Sequence, residues 1–228
     1  MKILVTGACG FIGSNLVNKL VNLNYKVKAL TFYNKDNNDG NLEFFKFRKK
    51  KNLEVISGDI RDNFFLDDVS KKIDVIFHLA ALISIPYSYI SPKSYIDTNI
   101  LGTYNILNSA KKNKVKKVFI TSTSEVYGTA QKIPIDESHS LNSQSPYAAS
   151  KVAADQLSYS FYKSYGVPIT ILRPFNTFGP LQSNRAILPT IISQILNNEK
   201  ILKLGNISPT RDLTYVEDTI DAFICAMK

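Results

Sequence analysis

Short apolar runs rich in Val, Ile and Leu alternate along this chain with longer amphipathic segments. Such runs are typical of strands that are buried on both faces, and the longer segments carry apolar residues at helical spacing. Repeated strand, helix and strand units predict an α/β fold with a doubly wound parallel sheet. The pattern predicts strands at residues 2–6, 26–31, 53–57, 74–79, 117–122 and 168–173, and helices that begin at Phe11 and Asn63 or cover residues 92–113 and 145–165.

The composition is that of a globular protein. With 44% hydrophobic residues, the 228-residue chain can bury a substantial core in one domain or slightly more. The first predicted strand starts at the N-terminus, and no apolar run approaches the roughly 20 residues of a membrane-spanning helix. We therefore expect a cytoplasmic protein with no signal peptide and no membrane contact. Cys9 and Cys225 lie at opposite ends of the chain, so we expect neither a disulfide framework nor a metal site.

The net charge of +9 raises the question of nucleic-acid binding. Two basic clusters fall at predicted helix ends and at the turns into the next strand, where cations complement the helix dipole and stay in solvent. We therefore expect no nucleic-acid partner, although the charge is compatible with an anionic small substrate. The clusters are Lys46, Arg48, Lys49, Lys50 and Lys51, and Lys111, Lys112, Lys114, Lys116 and Lys117.

The first predicted strand leads into Gly7-Ala8-Cys9-Gly10-Phe11-Ile12-Gly13, where a helix is predicted to begin. Glycines at these positions let the backbone turn tightly, approach a pyrophosphate closely and pack the helix against the strand. The helix N-terminus adds positive potential for the anion. A glycine loop between strand and helix at the start of an alternating α/β chain predicts a dinucleotide cofactor.

A phenol and an ammonium lie on one face of a predicted helix, at Tyr147 and Lys151. Ser145 is a good N-cap and Pro146 suits the first helical position, so the helix should start there. A free tyrosine has a pKa near ~10, but an adjacent lysine cation favours the phenolate. The pair predicts that Tyr147 accepts a proton.

Taken with the glycine loop, this pair makes the chain resemble the extended short-chain dehydrogenase/reductase family, whose members mostly modify nucleotide sugars. Further motifs match that family: Gly58-Asp59-Ile60, His78-Leu79-Ala80-Ala81, Asn99 and Arg173-Pro174-Phe175-Asn176. The resemblance implies a Rossmann-type domain and a tightly held NAD that is recycled internally. The implied cofactor contacts are Gly7, Gly10, Phe11, Ile12, Gly13, Asp59, Ile60, Leu79, Ala80, Ala81, Asn99, Tyr147, Lys151 and Pro174.

The resemblance also assigns roles in a reaction at the 4-position of the sugar. Thr123 and Tyr147 would hold the 4-hydroxyl, and Lys151 would hold the cofactor ribose. Glu125 would remove the acidic C5 proton of a 4-keto sugar, after which water leaves from C6. Many hexose 4,6-dehydratases carry Asp-Glu where this chain has Ser124-Glu125. The sequence therefore does not identify the acid that gives a proton to the departing C6 hydroxyl. The pair also occurs in GDP-mannose dehydratases and UDP-glucuronate decarboxylases, so a decarboxylase stays an alternative.

Four longer segments of the sequence resemble the nucleotide-sugar 4,6-dehydratases that open the legionaminic acid pathway. They are residues 80–89, 125–130, 173–180 and 211–216. This resemblance implies a substrate that is a nucleotide-linked N-acetylglucosamine, with UDP or GDP left open. A 4-epimerase and a catalytically idle cofactor-binding protein remain alternatives. The implied substrate contacts are Ser84, Tyr87, Thr123, Asn176, Arg185 and Arg211, with Arg211 on the diphosphate.

Two further expectations concern the cofactor and the extent of the chain. The strand that ends at Thr31 has no Asp or Glu for a ribose 2′-hydroxyl, so NAD is favoured over NADP by the resemblance alone. Family members typically continue well beyond the position of Lys228. We therefore expect a cofactor domain at residues 1–175, a partial, C-terminally truncated substrate-binding subdomain at 176–228, and a homodimer formed through the helices at 92–113 and 145–165.

Overall fold

The computed structural model describes residues 1–36, 38–47 and 51–228. Its centre is a sheet of six parallel strands. Two further strands of three residues each pair in a separate parallel sheet. The strands of the large sheet are β1 (Lys2–Thr6), β2 (Lys26–Phe32), β3 (Leu53–Gly58), β4 (Val75–His78), β5 (Lys117–Thr121) and β6 (Ile169–Leu172); the small sheet contains β7 (Asn176–Phe178) and β8 (Leu213–Tyr215). The order β3-β2-β1-β4-β5-β6 is that of a Rossmann-type sheet, so the predicted fold class is confirmed.

Helices cover both faces of the large sheet. They are α1 (Phe11–Asn22), α2 (Asn63–Val69), α3 (Ile85–Ile90), α4 (Pro92–Tyr95), α5 (Gly102–Lys112), α6 (Pro146–Tyr165), α7 (Ile187–Leu196) and α8 (Val216–Met227). Short 3-10 helices cover Gly40–Phe44 and Ser124–Tyr127, and a π-helix at Ile96–Leu101 joins α4 to α5. The helix predicted at residues 92–113 therefore exists but contains this π segment.

The start of α6 follows directly from its sequence. The hydroxyl of Ser145 accepts a hydrogen bond from the Ala148 amide at 3.0 Å, and Pro146 occupies the first helical turn. Gly166, with φ of +67°, ends the helix in the left-handed conformation. These caps fix which residues of α6 face the sheet, and Tyr147 and Lys151 are among its buried residues.

The core has one layer on each side of the sheet. On one side α1 and α8 pack together, and Leu16 and Phe223 belong to the same buried cluster. Phe223 meets Phe77 of β4 edge to face at 5.8 Å between ring centroids. The other side buries residues of α2, α5 and α6. Because α8 packs beside α1, its apolar face belongs to the core of the large sheet; the boundary at residue 175 stays a prediction.

The basic cluster at residues 111–117 is bonded within the protein. The ammonium of Lys111 lies 3.6 Å from the centroid of the Tyr165 ring, and Lys116 pairs with Asp74 at 2.7 Å. The ammonium of Lys117 donates to the Ala226 carbonyl oxygen at 2.7 Å. These contacts agree with the interpretation of the cluster as helix ends and turns. In the other cluster, residues 48–50 lie outside the described residues.

None of the helices in the described ranges combines the length and the hydrophobicity that crossing a membrane requires.

Candidate active site

The carboxyl ends of the parallel strands bring the predicted motifs to one edge of the sheet. Thr6 of β1 pairs with His78 of β4, His78 pairs with Ile120 of β5, and Thr121 pairs with Leu172 of β6. The segments that follow these strands therefore start side by side. In open α/β sheets this edge is where ligands bind.

The glycine loop is packed backbone to backbone. Gly7 has φ of +67°, and a Cβ atom there would lie 2.7 Å from the amide nitrogen of Ala80. A Cβ atom at Gly13 would collide with the carbonyl oxygen of Gly7. Gly10 caps α1 and donates its N–H to the Gly7 carbonyl at 3.1 Å. This side-chain-free cradle at the N-terminus of a helix with no acidic residue in its first turn fits the pyrophosphate of a dinucleotide.

Other predicted cofactor residues line the same edge. Phe11 and Ile12, in the first turn of α1, are half-buried against the core. Asp59, which follows β3, accepts hydrogen bonds from Arg61, and these hold the pKa of its carboxyl below its ordinary value. Ile60 is buried and packs toward Gly102, where a Cβ atom would lie 2.5 Å from its Cδ1.

Asn99 lies in the π-helix, and its side chain is fully engaged within the protein. Its Oδ1 accepts from the Leu82 amide at 2.8 Å, and its Nδ2 donates to the Leu82 carbonyl at 2.9 Å and to Ser150 Oγ at 2.9 Å. Asn99 thus ties the segment after β4, which contains Ala80 and Ala81, to α6. Its predicted contact with the cofactor stays a prediction.

Tyr147 lies on the first turn of α6 with 7% of its surface exposed. Thr123, which caps the 3-10 helix after β5, lies beside its phenol and acts to lower the pKa of Tyr147. Burial raises the pKa of Tyr147 to about 12, and Glu125 and Tyr95 contribute to the rise. The pair with Lys151 predicted the opposite direction. The predicted direction is wrong for the polypeptide itself because burial of the phenol is the largest cause, and Thr123 is the group that opposes it.

Lys151 is 5% exposed, and burial lowers its pKa to about 8 while Asp155 opposes the decrease. No residue that the structure describes accepts a hydrogen bond from its ammonium. Its neighbour His78 bonds Thr6 Oγ1 through Nδ1 at 2.8 Å and Thr103 Oγ1 through Nε2 at 3.2 Å. Burial, aided by the Lys151 charge, lowers the pKa of His78 to about 3.

The burial of His78 predicts acid destabilisation. In the unfolded chain His78 binds a proton below pH ~6.5, whereas in the folded chain its imidazole stays neutral down to about pH 3. The contribution of His78 to stability is therefore complete above ~6.5 and decreases as the pH falls toward 3. Between pH 6 and 4, the unfolding free energy of His78→Asn should fall less steeply than that of the parent chain, by up to about 1.4 kcal/mol per pH unit. Denaturant titrations over this range measure both slopes, and equal slopes would contradict the assignment.

The segment after β5 places a carboxylate beside the phenol. Glu125 donates its N–H to Thr123 Oγ1 at 3.2 Å, and the Glu125 charge helps to raise the pKa of Tyr147. The Ser124 amide donates to the Pro174 carbonyl at 3.2 Å, which joins the segment to the one that follows β6. The predicted catalytic residues of the segment after β5 and of α6 are therefore neighbours in space.

The predicted substrate residues are less closely grouped. Ser84 caps α3, accepting from the amide of Tyr87, whose side chain is largely exposed. The Asn176 amide donates to the Asp212 carbonyl at 3.2 Å at the start of β7. Arg185 and Arg211 are both exposed. Among the described residues, no hydrogen bond or ion pair joins either of them to Tyr147.

Sequence reasoning missed a buried polar network beneath this site. Asp155 of α6 accepts from Ser122 Oγ at 2.9 Å and from Arg173 Nε at 3.0 Å. Arg173 also donates to the Tyr127 hydroxyl at 2.9 Å. One signal was present in the sequence, because Asp155 follows Lys151 by one helical turn and must share its face.

The whole length of this architecture matches one protein family. The sequence profile described as GDP-mannose 4,6 dehydratase matches residues 4–228. The chain belongs to this family. Its relatives are NAD-dependent epimerases and dehydratases of the short-chain dehydrogenase/reductase type, which confirms the predicted resemblance at this level.

Three known proteins illustrate the relationship. A dTDP-D-glucose 4,6-dehydratase of Dictyostelium discoideum is 35% identical over 97% of this chain. The structure of the dTDP-glucose 4,6-dehydratase DesIV from Streptomyces venezuelae, which contains NAD, superposes with a TM-score of 0.92 at 30% identity, covering 100% of this chain and 72% of that one. A UDP-N-acetylglucosamine 4-epimerase from Methanobrevibacter ruminantium gives a TM-score of 0.89 at 36% identity, covering 98% of this chain and 71% of that one.

This chain spans 54% of the length of the Dictyostelium relative.

Proposed function

We propose that the protein is an NAD-dependent nucleotide-sugar 4,6-dehydratase that acts on a nucleotide-linked N-acetylglucosamine. The observation that carries this proposal is the Glu125 carboxylate close to the Tyr147 phenol, on the segment that also presents Thr123. A dehydratase needs a proton acceptor at C5 as well as one at the 4-hydroxyl, and this arrangement supplies both. The relatives that act on dTDP-glucose support the dehydratase reaction.

The protein groups would act in a fixed order. Thr123 orients the 4-hydroxyl of the sugar, and Tyr147 accepts its proton as C4 is oxidised. Lys151 binds the ribose of the cofactor and stabilises the developing phenolate. Because the phenol has a pKa of about 12 with Lys151 already in the chain, Tyr147 would also need the positive charge of the oxidised nicotinamide of bound NAD in order to act as a base near neutral pH.

Bound NAD would accept the hydride from C4 and return it at C6. The glycine cradle, described above, is the part of the chain that fits the pyrophosphate. Leu79, Ala80, Ala81 and Pro174 would border the cofactor where β4 and β6 end.

Glu125 would take the C5 proton once C4 is a ketone. The loss of water also requires a proton for the C6 hydroxyl, and Ser124 stands beside Glu125 on the same 3-10 helix. A serine hydroxyl is a weak acid. We therefore propose that the Glu125 carboxyl, protonated by its first step, delivers that proton to the departing hydroxyl.

Glu125→Gln separates the steps of the reaction. The amide cannot accept the C5 proton, so dehydration should fall by about 10²–10⁴-fold. Oxidation at C4 does not need this carboxylate and should persist, giving a rise in NADH absorbance at 340 nm on mixing. Glu137→Gln, which changes an exposed glutamate elsewhere, is the matched control and should dehydrate at the parent rate.

A second candidate is a 4-epimerase, which the Methanobrevibacter structure favours through its 36% identity. Epimerisation needs no base at C5, so an epimerase would lose little activity in Glu125→Gln. If that variant keeps full activity and its product has unchanged mass, the protein is an epimerase and the dehydratase proposal is rejected.

We further propose that the exposed arginines Arg185 and Arg211 contact the nucleotide diphosphate, because guanidinium groups pair well with phosphate oxygens. Ser84, Tyr87 and Asn176 would contact the sugar. NADP stays an alternative to NAD as the cofactor.

We also propose a homodimer through α5 and α6. These helices present Tyr104, Tyr159 and Tyr162, each between 42% and 54% exposed. Tyrosine is enriched in protein interfaces because it buries a large area at low entropic cost. The exposed tyrosine face thus supports the association that the family resemblance implies.

A further inference from the structure

Asp155 is a buried carboxylate with one oxygen held and one free. Only 2% of its surface is exposed. Its Oδ2 accepts from Ser122 and Arg173, whereas its Oδ1 is buried without a hydrogen-bond partner among the described residues. Burying a charge is costly unless it is compensated, so an unpaired buried oxygen requires a specific explanation.

The held oxygen fixes where the carboxylate lies. Ser122 is the first residue after β5, and Arg173 the first after β6, so Asp155 joins α6 to the ends of two strands. Arg173 is itself anchored, because it donates to the Tyr127 hydroxyl and its guanidinium carbon lies 5.2 Å from the centroid of that ring. The carboxylate therefore has little freedom to move.

The partner on the same helix face is Lys151. It lies one turn before Asp155, it is buried, and no described residue accepts a hydrogen bond from its ammonium. The charged and titratable groups on the surrounding elements are Tyr147, Asp155, His78, Glu125, Tyr127 and Arg173. Of these, Asp155 is the group whose charge acts to keep Lys151 protonated.

We propose that Asp155 is a positioning residue that keeps the buried Lys151 ammonium charged, with Ser122 and Arg173 fixing its carboxylate. The catalytic meaning rests on the proposed function, in which the lysine cation stabilises the Tyr147 phenolate. The electrostatic link itself does not require turnover. It can therefore be tested when activity is absent.

The test is the titration of Lys151 in Asp155→Asn. The chain is labelled with ¹³C at the lysine ε-carbons, and Lys151 is assigned by the signal that Lys151→Arg removes. The midpoint should fall by roughly one pH unit or more, because the opposite charge one helical turn away is lost. Where turnover is measurable, the loss of activity at high pH should move to lower pH by the same amount. A purely structural residue would lower the rate without moving either midpoint.

Two further variants separate charge from packing. Ser122→Ala removes one of the two hydrogen bonds that fix the carboxylate but keeps the charge and the Arg173 bond, so its Lys151 midpoint should stay much closer to that of the parent than in Asp155→Asn. Asp155→Glu also keeps the charge, and Lys151 should titrate in it much closer to the parent than in Asp155→Asn. An unchanged midpoint in a folded Asp155→Asn overturns the proposal. If that variant does not fold, a Lys151 midpoint in Asp155→Glu lowered by roughly one unit or more overturns it instead.

The same data distinguish failure of this inference from failure of the proposed function. A shifted Lys151 midpoint in a chain that converts no sugar would keep the link and reject the reaction. An unshifted midpoint in Asp155→Asn, with a parent chain that dehydrates its substrate, would reject the link and keep the reaction.

Discussion

Tyr147→Phe is expected to lower the turnover of a nucleotide sugar by about 10²–10⁴-fold. The variant keeps the aromatic ring that packs edge to face on Tyr95, with 6.2 Å between centroids, but removes the atom that accepts the proton. Thr123 remains in place, yet an aliphatic hydroxyl cannot act as the base. The fold should be retained because the ring fills the same volume.

The measurement is the steady-state rate with the sugar, together with a titration of NAD binding. Tyr165→Phe is the matched control, because Tyr165 lies on the same helix, is 53% exposed and keeps its contact with Lys111 through the ring. It should turn over at the parent rate. A Tyr147→Phe variant as fast as this control would exclude Tyr147 as the proton acceptor.

The second large effect is expected at Gly7. An alanine there meets two penalties, since φ is +67° and its Cβ would lie within 2.8 Å of the backbone of Leu79 and Ala80. Left-handed strain and overlap with backbone atoms should together lower the unfolding free energy by about 3 kcal/mol or more. NAD binding should weaken with it, because relief of the overlap moves the loop away from the end of β4.

Gly166 offers a control with the same backbone conformation. It also has φ of +67°, but no atom lies within 4 Å of the position of an added Cβ. Gly166→Ala should therefore cost only about 1–2 kcal/mol, the strain alone. Chemical denaturation of both variants gives the difference. Equal losses would mean that the close approach of Gly7 to Leu79 and Ala80 contributes nothing.

The large sheet and the long helices could be predicted because their patterns are local. All six strands of the large sheet lie where the apolar runs placed them, with ends that differ by at most one residue, and Ser145 and Pro146 mark the start of α6. The helix α3 covers fewer than two helical turns and β7 has three residues without an apolar run, so neither carries a pattern that predicts it. The π segment at Ile96–Leu101 has no such signature either, and it sets where Asn99 points.

The sequence predicted which candidate residues lie close together, but it did not predict the electrostatics of the candidate site. Spacing on one helix and the common edge of the sheet brought Tyr147, Lys151 and Thr123 together as expected. The direction of the Tyr147 pKa depends on how deeply packing buries the phenol, which the spacing of two residues does not encode. Asp155 and Arg173 were missed as partners because their contact joins α6 to the end of β6 across 18 positions of sequence.

The most direct test of the dehydratase proposal is the mass of the product. The purified chain is incubated with NAD and with UDP- or GDP-N-acetylglucosamine, and each nucleotide sugar is analysed by mass spectrometry. The account predicts that one of the two substrates gives a product lighter by one water, which also identifies the nucleotide. A product of unchanged mass with inverted configuration at C4, or an unaltered sugar in a folded chain that binds NAD, would contradict it.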